Sequence, residues 1–306
     1  MIVAAKRFVS IGECMIEMSG GEERQYRLGY AGDTLNTAWY MRALLGDDWQ
    51  VDYCTALGSD RYSADIRNFL EANHIGTTHI QTIESRRPGL YLIHQEAGDR
   101  HFTYWRDNSA AKLLADDRDA LSRALHGADI VYFSGITMAI LAPRARGRLI
   151  GAIVAARDAG ARIVFDPNIR PALWSSQRVM GSILTAAATI ADIVLPTHSD
   201  EVPVFGDKNA EQTAERYLEL GVEEVVVKDG SGPALAVSHS GRSEVPAEKV
   251  ETVVDATGAG DSFNAAYLAS RVAGASLEDA LKSAHAMASI VIGERGALID
   301  PARLKR

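Results

Sequence analysis

The sequence predicts an α/β protein with a mainly parallel central sheet flanked by helices. From about residue 128 onward, short apolar stretches alternate with longer segments of helical periodicity. The apolar stretches are continuous rather than alternating with polar residues, which is typical of parallel strands buried on both faces. At 306 residues, with 47% hydrophobic and 24% charged residues, the chain has the size and composition of one large globular domain covering 1–306.

The strands and helices of this region follow one another in regular order. The predicted strands cover 129–133, 162–165, 191–195 and 224–228, and the predicted helices lie near 145–159, 176–188 and 210–220. Ligands of parallel sheets bind beyond the carboxyl ends of the strands. The polar residues that follow three of these ends are Asp166, Asn168 and Arg170, then Thr197, Ser199 and Glu201, then Lys228 and Gly230. We therefore expect these groups to converge on one edge of the sheet.

Two earlier regions, 13–30 and 88–106, are rich in Tyr, Ile, Met and Thr and alternate in part between apolar and polar residues. Residues 90–96 and 101–105 predict a hairpin with a glycine-containing turn between them. Tyr104 and Arg106 are two residues apart, so they face the same side, and Tyr91 on the partner strand is placed to join them. Trp105 faces the other side and is interpreted as a packing residue. An extra antiparallel edge is the alternative interpretation of both regions.

The most informative segment is 255–264, with the sequence DATGAGDSFN. Val253 and Val254 predict the end of a strand before it, and a helical pattern follows it. Gly258 and Gly260 allow a tight turn and a close approach of a ligand. The N–H groups that begin the helix have no helical acceptor and can bind an anion. Asp261 is either the N-cap of this helix or a general base that deprotonates a hydroxyl while phosphate is transferred.

This segment resembles the C-terminal signature of the ribokinase-like (phosphofructokinase-B) sugar kinases, D-T-x-G-A-G-D-x-F, with Ala256 in place of the usual Thr. Six further segments resemble the 2-keto-3-deoxygluconate kinases of that family: 11–17, 31–36, 88–91, 103–106, 166–174 and 226–230. Ala31 departs from the usual Gly. The resemblance implies that Asp261 is the catalytic base and that the amides of Gly258, Ala259 and Gly260 form the anion hole. It also implies that 13–30 and 88–106 form a small β lid, which packs against the lid of a second subunit in a homo-oligomer.

Asp33 and Asn36 open a helical pattern, so they are either helix caps or ligands of sugar hydroxyls. The resemblance favours ligands. Arg106 in a sugar pocket indicates an acidic sugar, because guanidinium binds carboxylate through two parallel hydrogen bonds. Arg170 is expected to hold the substrate acid or the transferring phosphoryl group, with an exposed loop arginine as the alternative. The predicted substrate-binding residues are Gly32, Asp33, Asn36, Tyr91, Tyr104, Arg106, Arg170 and Asp261.

The turn at 228–233 is either a plain turn or, as the resemblance implies, a turn that lies under ATP. The chain has no Gly-x-x-x-x-Gly-Lys-Ser/Thr segment, so a P-loop is excluded. No Cys/His cluster has metal-ligand spacing, and we expect Mg²⁺ to be held mostly by phosphates and water. The resemblance adds a monovalent cation near Asp255. The predicted nucleotide-binding residues are Asn168, Thr197, Lys228, Gly230, Gly232, Gly258, Gly260 and, on a helix face that equally suits the core, His285.

The net charge of −8 argues against a nucleic-acid partner. No apolar run reaches the ~20 residues of a membrane span, and the N-terminus lacks the apolar region of a signal peptide. Cys14 and Cys54 lie in apolar runs and are expected to be reduced core thiols. These features fit a cytoplasmic enzyme.

The predicted function is ATP-dependent phosphorylation of the terminal hydroxyl of a sugar acid, with 2-keto-3-deoxygluconate and its 6-phosphate as substrate and product. The alternatives are a kinase for fructose, another ketose or the galactonate epimer. A catalytically silent sugar-acid sensor is an alternative of another class, but a sensor has no use for Asp261. A Rossmann dehydrogenase would carry Gly-x-Gly-x-x-Gly after the first strand, and the sequence after Ile11 does not supply it.

Overall fold

The computed structural model describes residues 5–20, 25–96 and 99–304, with the backbone alone at 95, 96, 99 and 100. Within these residues the strands are β1 (Lys6–Ile11), β2 (Met15–Gly20), β3 (Tyr26–Ala31), β4 (Trp49–Cys54), β5 (Ala56–Leu57), β6 (Gln81–Thr82), β7 (Gly89–Glu96), β8 (Asp99–Trp105), β9 (Ile130–Ser134), β10 (Arg162–Asp166), β11 (Ile193–Val194), β12 (Glu224–Val227), β13 (Ala234–Ser238) and β14 (Gly241–Val245). The helices are α1 (Asp33–Leu44), α2 (Arg61–Ala72), α3 (Arg118–Leu125), α4 (Gly135–Ile140), α5 (Pro143–Asp158), α6 (Gln177–Ala188), α7 (His198–Phe205), α8 (Ala210–Glu219), α9 (Ala259–Val272) and α10 (Leu277–Ile292).

The central sheet has eight strands in the order β14-β13-β12-β11-β10-β9-β1-β4. The six strands from β12 to β4 run parallel, and β13 and β14 add an antiparallel edge. Alternate residues of each strand point into two separate cores, so that Phe8 and Tyr132 pack on one face and Phe133 and Phe165 on the other. The continuous apolar strands therefore arise because helices cover both faces. The predicted parallel α/β fold is confirmed.

The predicted strands match β9, β10 and β12 within about a residue or two, whereas the predicted strand at 191–195 shortens to Ile193–Val194. The backbone of Asp192 and Leu195 still bonds to β10, so this segment occupies the expected place. The predicted strand end at Val253 and Val254 is wrong. Both side chains are exposed, and the Val254 amide donates to the carbonyl of Ile292 at the end of α10. Two adjacent valines favour a strand locally, but no neighbouring strand pairs with them.

A second, four-stranded sheet has the order β3-β2-β7-β8 and is called the small sheet below. Its strands come from the two early regions, and β7 and β8 form the predicted antiparallel hairpin. The turn residues Ala97 and Gly98 lie outside the described residues. Because side chains alternate along a strand, Tyr91 and Tyr104 share one face, and Trp105 lies on the opposite face. Trp105 is 58% exposed, so the packing role predicted for it is wrong within this chain.

Candidate active site

The loop before α9 is built around Gly258. Its φ of +78° lies in the left-handed region, and a Cβ at this position would lie 2.7 Å from the carbonyl oxygen of Ala297. Gly260, in contrast, lies inside α9, and a Cβ there would have only the amine of Lys228 nearby, at 3.9 Å. Gly258 is therefore required by backbone conformation. Gly260 leaves open space beside a lysine.

Asp255 holds the other end of this loop. Its carboxylate accepts the amide of Thr257 at 2.8 Å and the amide of Gly296 at 2.7 Å. These bonds join the loop to the segment that follows α10. The amides at the start of α9 are thus presented in a fixed direction, as an anion site requires.

Asp261 is the third residue of α9, and the cap position belongs to Gly258. α9 has no side-chain cap, which excludes the N-cap interpretation of Asp261. Its Oδ2 instead accepts a hydrogen bond of 2.8 Å from the side-chain nitrogen Nδ2 of Asn36 on α1. Burial, together with the nearby negative charge of Asp33, raises the pKa of Asp261 to about 8. A carboxyl group with a raised pKa therefore lies in the first turn of α9, beside the amides that begin this helix.

Asp33 and Asn36 begin α1 directly after Gly32, where a side chain would collide with the carbonyl oxygen of Glu13. The side-chain amide (Nδ2) of Asn168 donates to Asp33 Oδ2 at 2.9 Å, and burial raises the pKa of Asp33. Neither side chain occupies the N-cap of α1, because Gly32 does. The side chain of Asp33 contacts Asn168, just after β10, and that of Asn36 contacts Asp261 on α9.

Asn168 has a φ of +32°, one of two positive values for non-glycine residues in the described part of the chain. Its backbone N–H donates to Asp166 Oδ1 at 3.0 Å, and this hydrogen bond fixes the turn after β10. Such strain is uncommon and concentrates at functional sites.

The ends of β10 and β12 meet at a buried lysine. The amine of Lys228 lies 2.9 Å from Asn264 Oδ1 and 3.4 Å from Asp166 Oδ2. Asn264 also donates to Asp166 at 2.7 Å and to the hydroxyl of Tyr132 at 3.1 Å. The predicted convergence of these strand ends is therefore correct for Asp166 and Lys228. It is wrong for Glu201, whose buried carboxylate turns away to bond Arg216 and Tyr217.

Asn264 was not among the predicted site residues, although it lies three residues after Asp261 in the signature segment. Residues three apart on a helix share a face. That spacing is the signal in the sequence that identifies it as a neighbour of the site.

The two predicted arginines lie near Tyr104. The Arg106 guanidinium is 5.8 Å from the Tyr104 ring and forms a buried ion pair with Glu13. Arg170 is half-exposed and lies 3.3 Å from Asp200. Burial raises the pKa of Tyr104, and the positive charges of Arg106 and Arg170 act in the opposite direction. Arg106 is therefore paired with Glu13, a residue that was not predicted to belong to the site.

Tyr91 lies next to Tyr104, with ring centroids 5.7 Å apart. Its ring is buried, and its hydroxyl donates to the carboxylate of Glu17. The aromatic face of the small sheet thus reaches the same region as the two arginines.

The predicted nucleotide turn follows β12. Gly230 has a φ of +56°, and the amide of Gly232 donates to the carbonyl of Asp229 at 2.7 Å. Thr197 forms a parallel bridge with Lys228, so the two loops lie side by side.

His285 does not join this group. It is buried, its Nε2 lies 3.1 Å from the carbonyl oxygen of Val245, and its ring packs edge-on against Phe263. Core packing accounts for its position, and a contact with the nucleotide stays a prediction.

Among the described residues, no group of three or more His, Cys, Asp and Glu side chains could hold a metal ion. Both cysteines are free and buried, as expected, and burial raises the pKa of Cys54 to about 12. None of the helices in the described ranges combines the length and apolar character needed to cross a membrane.

Comparison with solved structures gives the same fold. The fructokinase of Xylella fastidiosa with bound ATP has a TM-score of 0.83 at 21% identity, covering 96% of this chain and 94% of that chain. The 2-dehydro-3-deoxygluconokinase of Thermotoga maritima has a TM-score of 0.80 at 19% identity, covering 96% of both chains.

Comparison with curated proteins gives closer relatives. The 2-dehydro-3-deoxygluconokinase of Escherichia coli (strain K12) is 39% identical over 302 residues, which cover 96% of this chain and 97% of that protein. The enzyme of the same name from Dickeya dadantii (strain 3937) is 40% identical over 305 residues, covering 97% and 98%. The family model described as "pfkB family carbohydrate kinase" matches residues 5–303. The fold, the glycine loop with its carboxyl group and these matches together show that the chain belongs to the pfkB family of ATP-dependent carbohydrate kinases.

Proposed function

We propose that this kinase transfers the γ-phosphoryl group of ATP to the terminal hydroxyl of 2-keto-3-deoxygluconate, also called 2-dehydro-3-deoxygluconate. The observation that carries the proposal is Asp261, a carboxyl group with a pKa of about 8 at an anion-binding helix terminus. The choice of substrate is supported by four relatives of that name at 37–40% identity. It is also supported by the two arginines near Tyr104, since a neutral sugar has no use for them.

In this mechanism the oxygen of the substrate hydroxyl bonds to the γ-phosphorus of ATP, and Asp261 accepts the proton that this hydroxyl loses. The bond from that phosphorus to the bridging oxygen breaks, and ADP leaves. The amides of Gly258 and Gly260 donate to the phosphoryl oxygens, together with the amide of Ala259, whose 3.3 Å bond to the carbonyl of Ala256 is exchanged for the phosphate. Lys228, 3.9 Å from the Cβ position of Gly260, adds positive charge at the same point.

The sugar lies between α1 and the small sheet. We assign its hydroxyls to Asp33 and Asn36, and Gly32 allows the chain to pass close to the backbone of Glu13 just before them. Tyr91 and Tyr104 line the opposite wall. The carboxylate of the substrate binds Arg106 and Arg170. A kinase for the galactonate epimer is the alternative among acids, and a fructose kinase is the alternative among neutral sugars.

We propose that ATP lies along Asn168, Thr197, Lys228, Gly230 and Gly232. ATP use is supported by ATP-bound structures of the same fold from Xylella fastidiosa and Escherichia coli, the second with magnesium. Mg²⁺ bound mostly by phosphates and water fits a chain whose described residues offer no protein cage. When bound, it neutralises phosphate charge.

We propose a monovalent cation beside the Asp255 loop, supported by a fructokinase structure from Vibrio cholerae that contains ADP and potassium. Asp255 itself would orient this loop through the amides of Thr257 and Gly296. A cytoplasmic location fits the use of ATP and the two free, buried cysteines.

We further propose that residues 1–306 form one domain whose small sheet acts as a lid, and that two copies join through it. One face of the small sheet exposes three large apolar side chains: Tyr26 at 40% and Leu28 at 43% on the edge strand β3, and Trp105 at 58% on the opposite edge strand β8. Large apolar side chains exposed on one surface are typical of a protein interface. A second copy of this chain offers the same surface and suits a symmetric pairing.

Replacing Asp261 with Asn keeps the shape of the side chain and removes the base. We expect kcat to fall about 10²–10⁴-fold, with ATP affinity within about twofold of the wild type. A coupled ADP-release assay and calorimetric ATP titration measure both. Glu278→Gln, at an exposed ion pair on α10, is the control and should turn over normally. Near-normal turnover of Asp261→Asn would exclude Asp261 as the base.

The pH profile reports the same group. Because the pKa of Asp261 is raised to about 8, its base form is lost as pH falls, and kcat/KM should decline below about pH 8. Asp33→Asn removes a nearby negative charge and should move this decline to lower pH while weakening sugar binding. Profiles between about pH 5.5 and 9.5 test this. A flat profile, or a shift to higher pH in the variant, contradicts the assignment.

The two loop glycines should respond differently to substitution. Gly260→Val places methyl groups in the space reserved for phosphate, so turnover should be lost in a protein of normal melting temperature. Gly258→Ala meets Ala297 and requires a positive φ, so it should lower the melting temperature. Circular dichroism melting and the ADP-release assay separate the two effects. An active Gly260→Val enzyme would place the anion site elsewhere.

Arg106→Leu tests the choice of substrate. A charged hydrogen bond contributes ~1.5–3 kcal/mol, so KM for the sugar acid should rise about tenfold to 150-fold while KM for ATP stays constant. The wild type should prefer 2-keto-3-deoxygluconate to fructose or ribose by at least that ratio. Equal use of fructose by the wild type would reject the sugar-acid assignment and keep the kinase. An unchanged preference in the variant would move acid binding to Arg170.

The proposed pairing predicts that Trp105→Glu converts a dimer into a monomer, since a charge buried in an apolar interface is not compensated. Light scattering coupled to size-exclusion chromatography measures the mass. Leu44→Glu, at the end of α1 away from the cleft, is the matched control and should remain dimeric. A monomeric wild type would refute the interface.

A further inference from the structure

Glu13 lies where three segments of the chain meet. It follows β1, its carbonyl oxygen faces Gly32 before α1, and its carboxylate faces Gly89 at the start of β7. A Cβ at position 89 would lie 2.8 Å from Glu13 Oε1 and 3.3 Å from the Cβ of Arg106. The side chain of Glu13 is 1% exposed and that of Arg106 is 11% exposed. The packing therefore holds the carboxylate and the guanidinium together with little freedom.

The ion pair leaves hydrogen-bonding groups unused. Glu13 Oε2 accepts from Arg106 Nη2, but Glu13 Oε1 and Arg106 Nε are buried and make no hydrogen bond among the described residues. A buried pair with a purely structural role is stable only when its remaining donors and acceptors are satisfied. A guanidinium carries five N–H donors, so Arg106 can bind a second carboxylate while it keeps the first.

The charge balance points the same way. Without Glu13, a nearly buried guanidinium would stand uncompensated whenever the sugar is absent. Arg170, the other arginine near Tyr104, likewise has an acidic partner in Asp200. Each arginine is thus neutralised before a ligand arrives, and each keeps donors for a shared anion.

We infer that Glu13 is a positioning residue: its contact with Nη2 orients the guanidinium of Arg106 so that the remaining donors meet the carboxylate of the substrate. The inference rests on the proposed function and extends it to a residue outside the predicted site. Glu13 does not touch the sugar in this arrangement. It fixes which edge of Arg106 faces the cleft, and so contributes to the preference for an acid over a neutral sugar.

The test compares Glu13→Ala with Glu13→Gln. The amide oxygen of Gln still accepts from Nη2, so KM for 2-keto-3-deoxygluconate should stay within about threefold of the wild type. Ala lacks the acceptor, so KM for the acid should rise at least about tenfold with kcat within about threefold. The kcat/KM for a neutral ketohexose such as fructose should not change in either variant. A KM for the acid that is unchanged or lower in Glu13→Ala overturns the inference, as does an equal loss for both sugars.

Two further variants separate positioning from stability. The double variant Glu13→Met, Arg106→Met removes both charges and should recover the melting temperature lost in Glu13→Ala while KM for the acid stays high. Recovery of that KM as well would mean that the pair is only structural. Glu224→Gln, which disrupts the buried ion pair of Glu224 with Arg271 at 2.8 Å, is the control and should alter the melting temperature alone.

Gly89→Ala provides a test without loss of a charge, should Glu13→Ala fail to fold. Its methyl group would displace the Glu13 carboxylate, and we expect the same acid-specific rise in KM. An unchanged KM for the acid in a folded Gly89→Ala protein counts against the inference. The wild type distinguishes failure of the proposed function from failure of the role of Glu13. If it shows no preference for the acid, both are refuted. A clear preference combined with an unaffected Glu13→Ala refutes the role of Glu13 alone.

Discussion

The contact of Lys228 with Asp166 and Asn264 is the interaction on which the rest of the site depends. It joins the ends of β10 and β12 to α9, and all three side chains are buried. Loss of one partner from such a pair costs about 3–5 kcal/mol, because the remaining charge is left without compensation. The direction of α9, and with it the direction of its free amides, therefore follows from a polar contact rather than from apolar packing alone.

The same contact explains why a carboxyl group with a raised pKa is tolerated nearby. Asp33, Asp166 and Asp261 influence one another, and Lys228 is the cation that lowers the pKa of Asp261 against this effect. The acidic groups would repel one another without it. Folding thus brings three carboxyl groups together in the cleft that, in the proposed mechanism, receives phosphate. Amides and cations around the carboxylates make this arrangement possible.

The sequence predicts much of the fold, because buried parallel strands and their helices leave local patterns. At Gly258 the tight turn predicted from the sequence is present in the structure, with a positive φ, while the roles assigned to Gly258 and Asp261 stay predictions. It fails where distant residues decide the outcome. The pairing of Glu13 with Arg106 spans 93 residues, and no local pattern announces it. Asp261 resembled a cap because a sequence does not reveal which residue before a helix takes the cap conformation.

His285 shows a second limit: in sequence one helix face suits a core and a ligand pocket equally well, and only the tertiary structure shows that its ring packs against Phe263. Trp105 shows the converse. Its predicted side of the strand was right, but no residue in the described part of the chain covers it. Alternation along a strand fixes direction, whereas burial depends on what lies opposite.

The junction between the small sheet and α1 has a mechanical consequence. β3 ends at Ala31 and α1 begins at Asp33, so Gly32 is the only residue between them. A rotation of the small sheet is transmitted through one peptide unit to the first turn of α1, which carries Asp33 and Asn36. In the proposed complex the small sheet covers the sugar that Asp33 and Asn36 hold, so the two contacts with the sugar are coupled through Gly32. A sugar hydroxyl that does not fit the first turn of α1 would therefore also disturb the contact between the sugar and the sheet.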